Sequence, residues 1–300
     1  MRHVFLGCLF GILVSVTATS QTTDLARIEY LHIPFSKSDN SINRFRVLGQ
    51  LPIPLTKDKE KRKFLVIGAE YRYIDLNIEE PVPFDPSLVS SVQRIEGSIG
   101  YVTEMGNNWL FGAEMGARIN STLQDSPSGD DFIYEGSVYF IKDVDAENSP
   151  SNKEYRLILG FTYSTTPGRN YPLPLINYHR KFRENMTYTI GVPKSNIRYY
   201  MNASKKDAIQ AFATLDNFFG NIQQNIQIPD TDVVAENISM TNVLAGIGYE
   251  HFFTKHLLYY AYFAHTLYSE FRLRDNNRET AYIIENDNSL YFRSGVKFKF

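Results

Sequence analysis

The sequence predicts an all-β fold, a transmembrane up-and-down antiparallel β-barrel of about 12 to 14 strands. Three observations predict it. Segments of about ten residues, the length a tilted strand needs to cross a bilayer, alternate apolar and polar residues along the chain. The chain carries 20 Tyr and 21 Phe against one Trp and is 43% hydrophobic, yet its mean hydropathy is −0.28. Beyond Gln21 no stretch approaches the roughly 20 apolar residues of a spanning helix, so any crossing has to be made of strands.

The first twenty residues, MRHVFLGCLFGILVSVTATS, place Arg2 and His3 before an apolar run from Val4 to Val16, with small residues Ala18 and Ser20 just ahead of Gln21. This is the layout of a cleaved secretory signal, and the run is too short for a membrane anchor. Residues 1–20 are therefore expected to be a signal peptide and 21–300 an outer-membrane β-barrel domain. The single cysteine, Cys8, precedes most of the apolar core, which argues against a lipid-modified cysteine. Cleavage would leave no thiol for a disulfide, a nucleophile or a metal. It would also take 31 basic residues to 30 against 33 acidic ones, a balance that excludes a general nucleic-acid binder.

The clearest strand is the last. In SLYFRSGVKFKF, Leu290, Phe292, Val296, Phe298 and Phe300 share one face and Tyr291, Arg293, Lys297 and Lys299 the other. A strand ending on Phe298 and Phe300 looks like the C-terminal segment that barrel-assembly machinery recognises. Upstream, Trp109, Phe111, Ala113, Met115, Ala117 and Ile119 alternate with Gly112, Glu114, Gly116, Arg118 and Asn120. Leu65, Ile67, Ala69, Tyr71 and Tyr73 lie opposite Gly68, Glu70 and Arg72, and Tyr155 to Tyr163 repeats the pattern against Arg156 and Gly160. Val243, Ala245, Ile247 and Tyr249 lie opposite Asn242, Gly246, Gly248 and Glu250. Lipid-facing and lumen-facing residues alternate in this way. A soluble β-sandwich also alternates, but it would not set Glu, Arg and Lys on the buried side of so many strands.

The connections carry a second rhythm. Tight turns are expected at 105–108, 183–186, 203–207 and 254–257, and long polar stretches at 77–91, 122–130, 220–238 and 274–288. The two kinds fall on opposite ends of the strands, as short periplasmic turns and long external loops do. The stretches 55–63 and 143–153 are long for the periplasmic side. Thr187–Val192 and Asn196–Asn202 are short for full crossings, which leaves 12 strands as an alternative to 14. Residues 208–223, AIQAFATLDNFFGNIQ, also fit helical spacing, but their place on the circuit predicts a strand.

Three segments, GVPKSNIRYYMN (191–202), LAGIGYEHFFTKHLLYYAYFAHTLYSEFRL (244–273) and LYFRSGVKFKF (290–300), resemble the uncharacterised outer-membrane barrels of Bacteroidota-type, Gram-negative bacteria grouped as the domain of unknown function family numbered 6268. The resemblance covers most of the chain beyond the leader. It implies the fold and an outer-membrane location, and it brings no activity and no functional residues.

With the faces so assigned, the lumen receives five acids, Glu70, Glu96, Glu114, Glu135 and Glu250, and six bases, Arg72, Arg94, Arg118, Arg156, Arg293 and Lys297. They form either a charged pore lining that selects solutes or an internal salt-bridge network that closes the barrel. Desolvated charges need partners, and near-balanced signs favour the network. The five histidines of the predicted mature chain, His32, His179, His251, His256 and His265, lie beside no evident Ser and carboxylate set, and no Gly-x-Ser-x-Gly elbow occurs. No metal or cofactor is implied, and DSPSGDD (125–131) reads as a solvated loop rather than a calcium site. Aromatic clusters such as Tyr199–Tyr200 and Tyr259–Phe263 read as girdles at the membrane interfaces rather than as a ligand platform. The expected function is non-enzymatic: a passive channel for small polar solutes in contact with outer-membrane lipid. A closed structural or adhesive barrel acting through its loops is the alternative, and a lipid-modifying enzyme is the third class.

Overall fold

The computed structural model describes residues 24–58, 62–167 and 171–299; the expected signal segment 1–20 and Phe300 lie outside them. Fifteen strands make up most of the described chain. They are β1 (Asp24–Pro34), β2 (Ser41–Pro54), β3 (Lys63–Asn77), β4 (Ser91–Gly106), β5 (Trp109–Ser121), β6 (Phe132–Val144), β7 (Tyr155–Ser164) and β8 (Leu173–Arg183). There follow β9 (Met186–Val192), β10 (Lys194–Tyr200), β11 (Asp207–Gln227), β12 (Val234–Phe252), β13 (Leu257–Arg274), β14 (Thr280–Glu285) and β15 (Leu290–Lys299). β1 to β13 and then β15 follow one another around a single antiparallel sheet. It closes where β15 pairs with β1, from Asp24 opposite Lys299 to His32 opposite Phe292. The circuit is a closed transmembrane-type barrel of 14 strands, with β14 hung on the outer end of β13.

Closure gives every wall strand a paired neighbour on each side, the condition for a sheet to sit in hydrocarbon. The outward face is apolar: Ile28, Phe45, Val47, Ile67, Ile95, Val138, Phe161, Ile176 and Ile247 are all exposed. Polarity is thus reversed relative to a soluble barrel, since Met115 on the outside is 65% exposed while Arg118, three residues on and inside, is 8% exposed. At Gly160 of β7 the wall admits no side chain, because a Cβ there would lie 2.4 Å from the Val138 carbonyl oxygen. Gly160→Ala is expected to cost about 1–3 kcal/mol by overpacking, read as a lower unfolding midpoint in the mobility of unheated samples on gels.

The tight turns fall where alternation breaks: β4 passes to β5 through 107–108, β8 to β9 through 184–185, β10 to β11 through 201–206 and β12 to β13 through 253–256. Residues 208–223 are strand, and both short segments of the doubtful pair are strands of seven residues, β9 and β10, joined by Pro193 alone. Two expected loops require correction. Residues 220–238 are mostly strand, because β11 runs for 21 residues and β12 for 19 and only 228–233 turns between them. The polar letters of NIQQNIQ suggest a loop, but its Ile222 and Ile226 are buried with Ile238 and Met240 in an apolar cluster at the outer end. The stretch 274–288 likewise contains β14, whose Tyr282 packs edge-on to Phe84 at 5.6 Å.

The extra length of β11 bends inward. Its edge pairs with β10 only as far as Thr214 opposite Lys194. Beyond that it crosses the lumen to β5, six places away along the wall, where Asn221 lies parallel to Ser121. The Thr122 amide donates to the Asn221 carbonyl at 3.0 Å, and the Asn120 side-chain amide donates to the Phe219 carbonyl. The space between this crossing and the wall strands is filled by Leu31, Ile33, Ile42, Ile74, Leu76, Val92, Phe218, Ile222, Ile238 and Phe271. Each such side chain contributes about 1.5–3 kcal/mol when fully buried. The outer mouth is thereby capped by the barrel's own hairpin.

Candidate functional site: the interior of the barrel

The inward positions of β1, β2, β11, β13 and β15 converge on two carboxylates. Glu29 of β1 accepts from the Tyr260 hydroxyl at 2.5 Å and lies 3.6 Å from Arg44, 3.6 Å from Arg27 and 3.8 Å from Arg293. Across the lumen Arg44 donates to both oxygens of Asp216 on β11, at 2.8 and 2.9 Å. The fork geometry of guanidinium on carboxylate makes this the tightest tie between the two sides. Lower down, Glu250 of β12 accepts from Arg198 (3.2 Å), Gln210 (2.8 Å) and Tyr262 (2.7 Å), and Gln210 in turn accepts from Asn196 at 2.6 Å. Lys194 lies over the Phe212 and Tyr262 rings, at 4.8 and 4.5 Å from their centres, and Lys297 lies 4.8 Å over Tyr260. Cations over aromatic faces need less water than free ones do.

On the opposite wall, the strand register places Arg46, Arg72 and Arg94 side by side across β2, β3 and β4, and Glu70 beside Glu96 one row below. Like charges directly across from one another repel, and the two rows relieve this by bonding diagonally. Arg46 and Arg72 donate to Glu70 at 2.9 and 2.7 Å, and Arg94 donates to Glu96 at 2.7 Å. On β5, Arg118 bonds Glu135 of β6 and donates to the Thr166 hydroxyl at 2.9 Å. Further round, Arg156 pairs with Asp143 at 2.5 Å and His179 meets Thr189 at 3.0 Å.

The eleven charged residues singled out from the sequence fall into separate groups. Glu70, Arg72, Arg94, Glu96, Arg118 and Glu135 gather in one cluster, Glu250 anchors a second, and Arg293 and Lys297 border the Glu29 group. Arg156 stands apart with Asp143, and Glu114 sits lower on β5 across from Gly100 and Ser137. Phe298 of the terminal strand pairs with Ala26 and Leu257. Sequence reasoning missed Glu29, Arg44, Arg46, Asp216 and Arg198. In β1 the inward face changes from Arg27 and Glu29 to Leu31 and Ile33 as the strand rises into the apolar cap, so its two faces look alike in sequence. The alternation of Phe212, Thr214, Asp216 and Phe218 in β11 was the usable signal for Asp216.

Two adjoining cavities, of about 60 and 190 Å³, share Arg94 and Arg118. The first lies beneath the crossing and is lined by Arg72, Asn120, Thr166 and Asn217–Phe219. The second opens toward β6, β7 and β8 and is lined by Glu135, Thr162, Ser164, Tyr171 and Leu173.

The crossing is latched from the β5–β6 connection. Buried Asp131 accepts from the Ser128 amide (2.7 Å), Asn221 (2.8 Å) and Gln223 (2.8 Å). Burial pushes its carboxyl up, but the hydrogen bonds from Ser121, Ser128, Asn221 and Gln223 outweigh this and hold it below the ordinary 3.8. A depressed carboxyl contributes stability that is complete above the ordinary value and is lost as pH falls through the lowered one. Acidification from about pH 7 to 5 is therefore expected to leave the latch intact. Asp131→Asn should weaken it by about 1–3 kcal/mol. Limited proteolysis at the 228–233 turn reads both effects.

The histidines bond elsewhere than to serine. His32 meets Asn43, His179 Thr189, His251 Asp207, and His256 and His265 the carbonyls of Lys299 and Thr266.

No curated protein matches the chain. Among solved structures it is similar to a KdgM porin in complex with disordered oligogalacturonate (9% identity, TM-score 0.36, 91% of this chain and 99% of that one). It is also similar to the COG4313 outer membrane channel from Pseudomonas putida F1 (12% identity, TM-score 0.38, 95% and 100%). A third is LpxR from Salmonella typhimurium (7% identity, TM-score 0.38, 91% and 100%). At such identities no residue role passes from them to this chain. The family model described as a domain of unknown function, DUF6268, matches residues 35–299, and the chain belongs to that family.

Proposed function

We propose that the protein is exported by its first twenty residues to the outer membrane of a Bacteroidota-type cell. There its last strand is handed to the barrel-assembly machinery, and it acts as a non-enzymatic barrel closed to free diffusion at rest. The observation that carries this is the β11 crossing, which ties opposite walls through Asn221 and Thr122 at 3.0 Å above a lumen of paired charges. The apolar outward face supports membrane placement, since only lipid would cover it without aggregation. Of the sequence-based alternatives, this favours the closed barrel over the standing pore. Opening, rather than permanent conduction, is the form in which transport of small polar solutes fits.

Single-channel recording of the refolded protein in a planar bilayer tests the proposal. The expected result is a barrel that migrates as folded on unheated gels and shows no unitary steps. Steady steps in the unmodified protein would overturn it.

A further inference from the structure

The wall is not equally tall all round. β9 and β10 have seven residues each, short of the roughly 9–11 that a tilted strand needs to cross. They turn back at Pro193, where Val192 pairs with Ile176 of β8 and Lys194 with Thr214 of β11. Above that level β8 continues outward through Leu175, Pro174 and Leu173, paired only to β7 among the described residues. On the other side β11 has left the wall to cross to β5. Among the described residues no strand pairing joins the outer ends of β8 and β11, which leaves a gap between them.

The gap opens inside the apolar belt. Pro174 lies beside Phe161, which is exposed on the outside, and the rim below carries the exposed Ile176, Ile190, Val192 and Leu215. The larger cavity reaches the β8 side of the gap, with Leu173 and Tyr171 at its β8 end and Arg94 and Arg118 at its inner end. Its volume is about 190 Å³. That is room for a small head group and the first part of a chain. Three guanidiniums, Arg72, Arg94 and Arg118, and one carboxylate, Glu135, line the pair of cavities, while Glu70 and Glu96, one row below, are held by Arg46, Arg72 and Arg94. The Thr162 and Ser164 hydroxyls also line it, their protons directed to the Gly136 carbonyl and the Thr166 hydroxyl.

We propose that this compartment binds an amphiphile with a small anionic head, a carboxylate or a phosphate monoester, and a single aliphatic chain, which enters sideways from the outer leaflet through the gap above Pro193. The inference rests on the membrane placement proposed above and adds a ligand to it. The head lies against Arg94 and Arg118, where charge-assisted bonds are strongest because water is scarce. The chain leaves between Leu173 and Leu215 into the lipid. Binding forms and breaks no covalent bond.

The test is equilibrium binding of four probes to the folded full-length barrel in maltoside detergent: palmitate, 1-palmitoyl lysophosphatidate, hexadecanol and butyrate. Saturable binding of palmitate or lysophosphatidate, at least about tenfold tighter than hexadecanol and butyrate, is expected, and the preferred probe identifies the head. Arg94→Gln should weaken binding by about tenfold and Arg94→Lys should restore most of it. Because Arg94→Gln also disturbs Glu96, the unmodified protein gives an independent reading. A palmitate analogue with a chain diazirine should photolabel residues among Leu173, Ile190, Val192 and Leu215. Equal binding of hexadecanol, equal binding of butyrate, or labelling spread evenly round the outer belt would each overturn the inference. A barrel that folds and stays electrically silent yet ignores all four probes would sink it and leave the closed-barrel reading standing, whereas unitary steps in a palmitate-binding protein would do the reverse.

Discussion

Replacing Phe219–Ser239 by an Asn-Gly turn is expected to convert a silent barrel into one that shows unitary conductance steps. Phe219 and Ser239 are register partners in the β11–β12 hairpin, so the cut leaves Phe218 facing Met240, and a two-residue turn of this type closes such a pair with the right twist. What is lost is the whole crossing: the Asn221 contacts to Ser121, Thr122 and Asp131, the Gly220 backbone against Val92, and Ile222, Ile226, Ile228 and Ile238 from the apolar cap. What remains is the complete circuit of 14 strands, because β11 below Phe218 keeps its pairing with β10 and β12. The barrel should therefore still fold and shift on unheated gels. Recording in a planar bilayer decides the matter: continued silence of a folded excised barrel would mean that the charge networks alone seal the lumen.

The second large effect is expected at Asp216. Its carboxylate holds both guanidinium nitrogens of Arg44 and the Tyr291 hydroxyl, and its side chain is only 11% exposed. Asp216→Ala would leave Arg44, 5% exposed, with Glu29 at 3.6 Å as its remaining acid, a carboxylate already shared with Arg27, Arg293 and Tyr260. Removing one member of a buried pair typically costs about 3–5 kcal/mol, because the other charge stays desolvated. Thermal unfolding followed by gel mobility should show that loss. The double variant Arg44→Met with Asp216→Leu should recover most of it, since apolar residues of similar volume replace a buried pair at little cost. A double variant as unstable as Asp216→Ala would show that shape at this point, and not uncompensated charge, limits stability.

How much of this was legible in the sequence depended on whether a signal was local. Alternation is a property of neighbouring residues, so β3, β5, β7 and β15 could be drawn with their faces assigned, and the inward places of Glu70, Arg118, Arg156 and Arg293 followed. The short turns at 107–108 and 184–185 were local too. The 220–238 stretch misled because its Asn and Gln residues resemble a loop until Ile222, Ile226 and Ile238 find Leu31, Ile74 and Val92 from strands more than a hundred residues earlier.

By itself the sequence determined the strand periodicity and the alternation of an apolar with a polar face, because each follows from what a bilayer demands of every strand separately. Only the tertiary structure decided which charges meet, that β11 leaves the wall to cap the mouth, and that short β9 and β10 leave a gap beside Arg94 and Arg118. Those depend on register, on strand length relative to neighbours and on contacts across the lumen. These are relations between distant segments that closing the sheet creates and that local pattern does not encode.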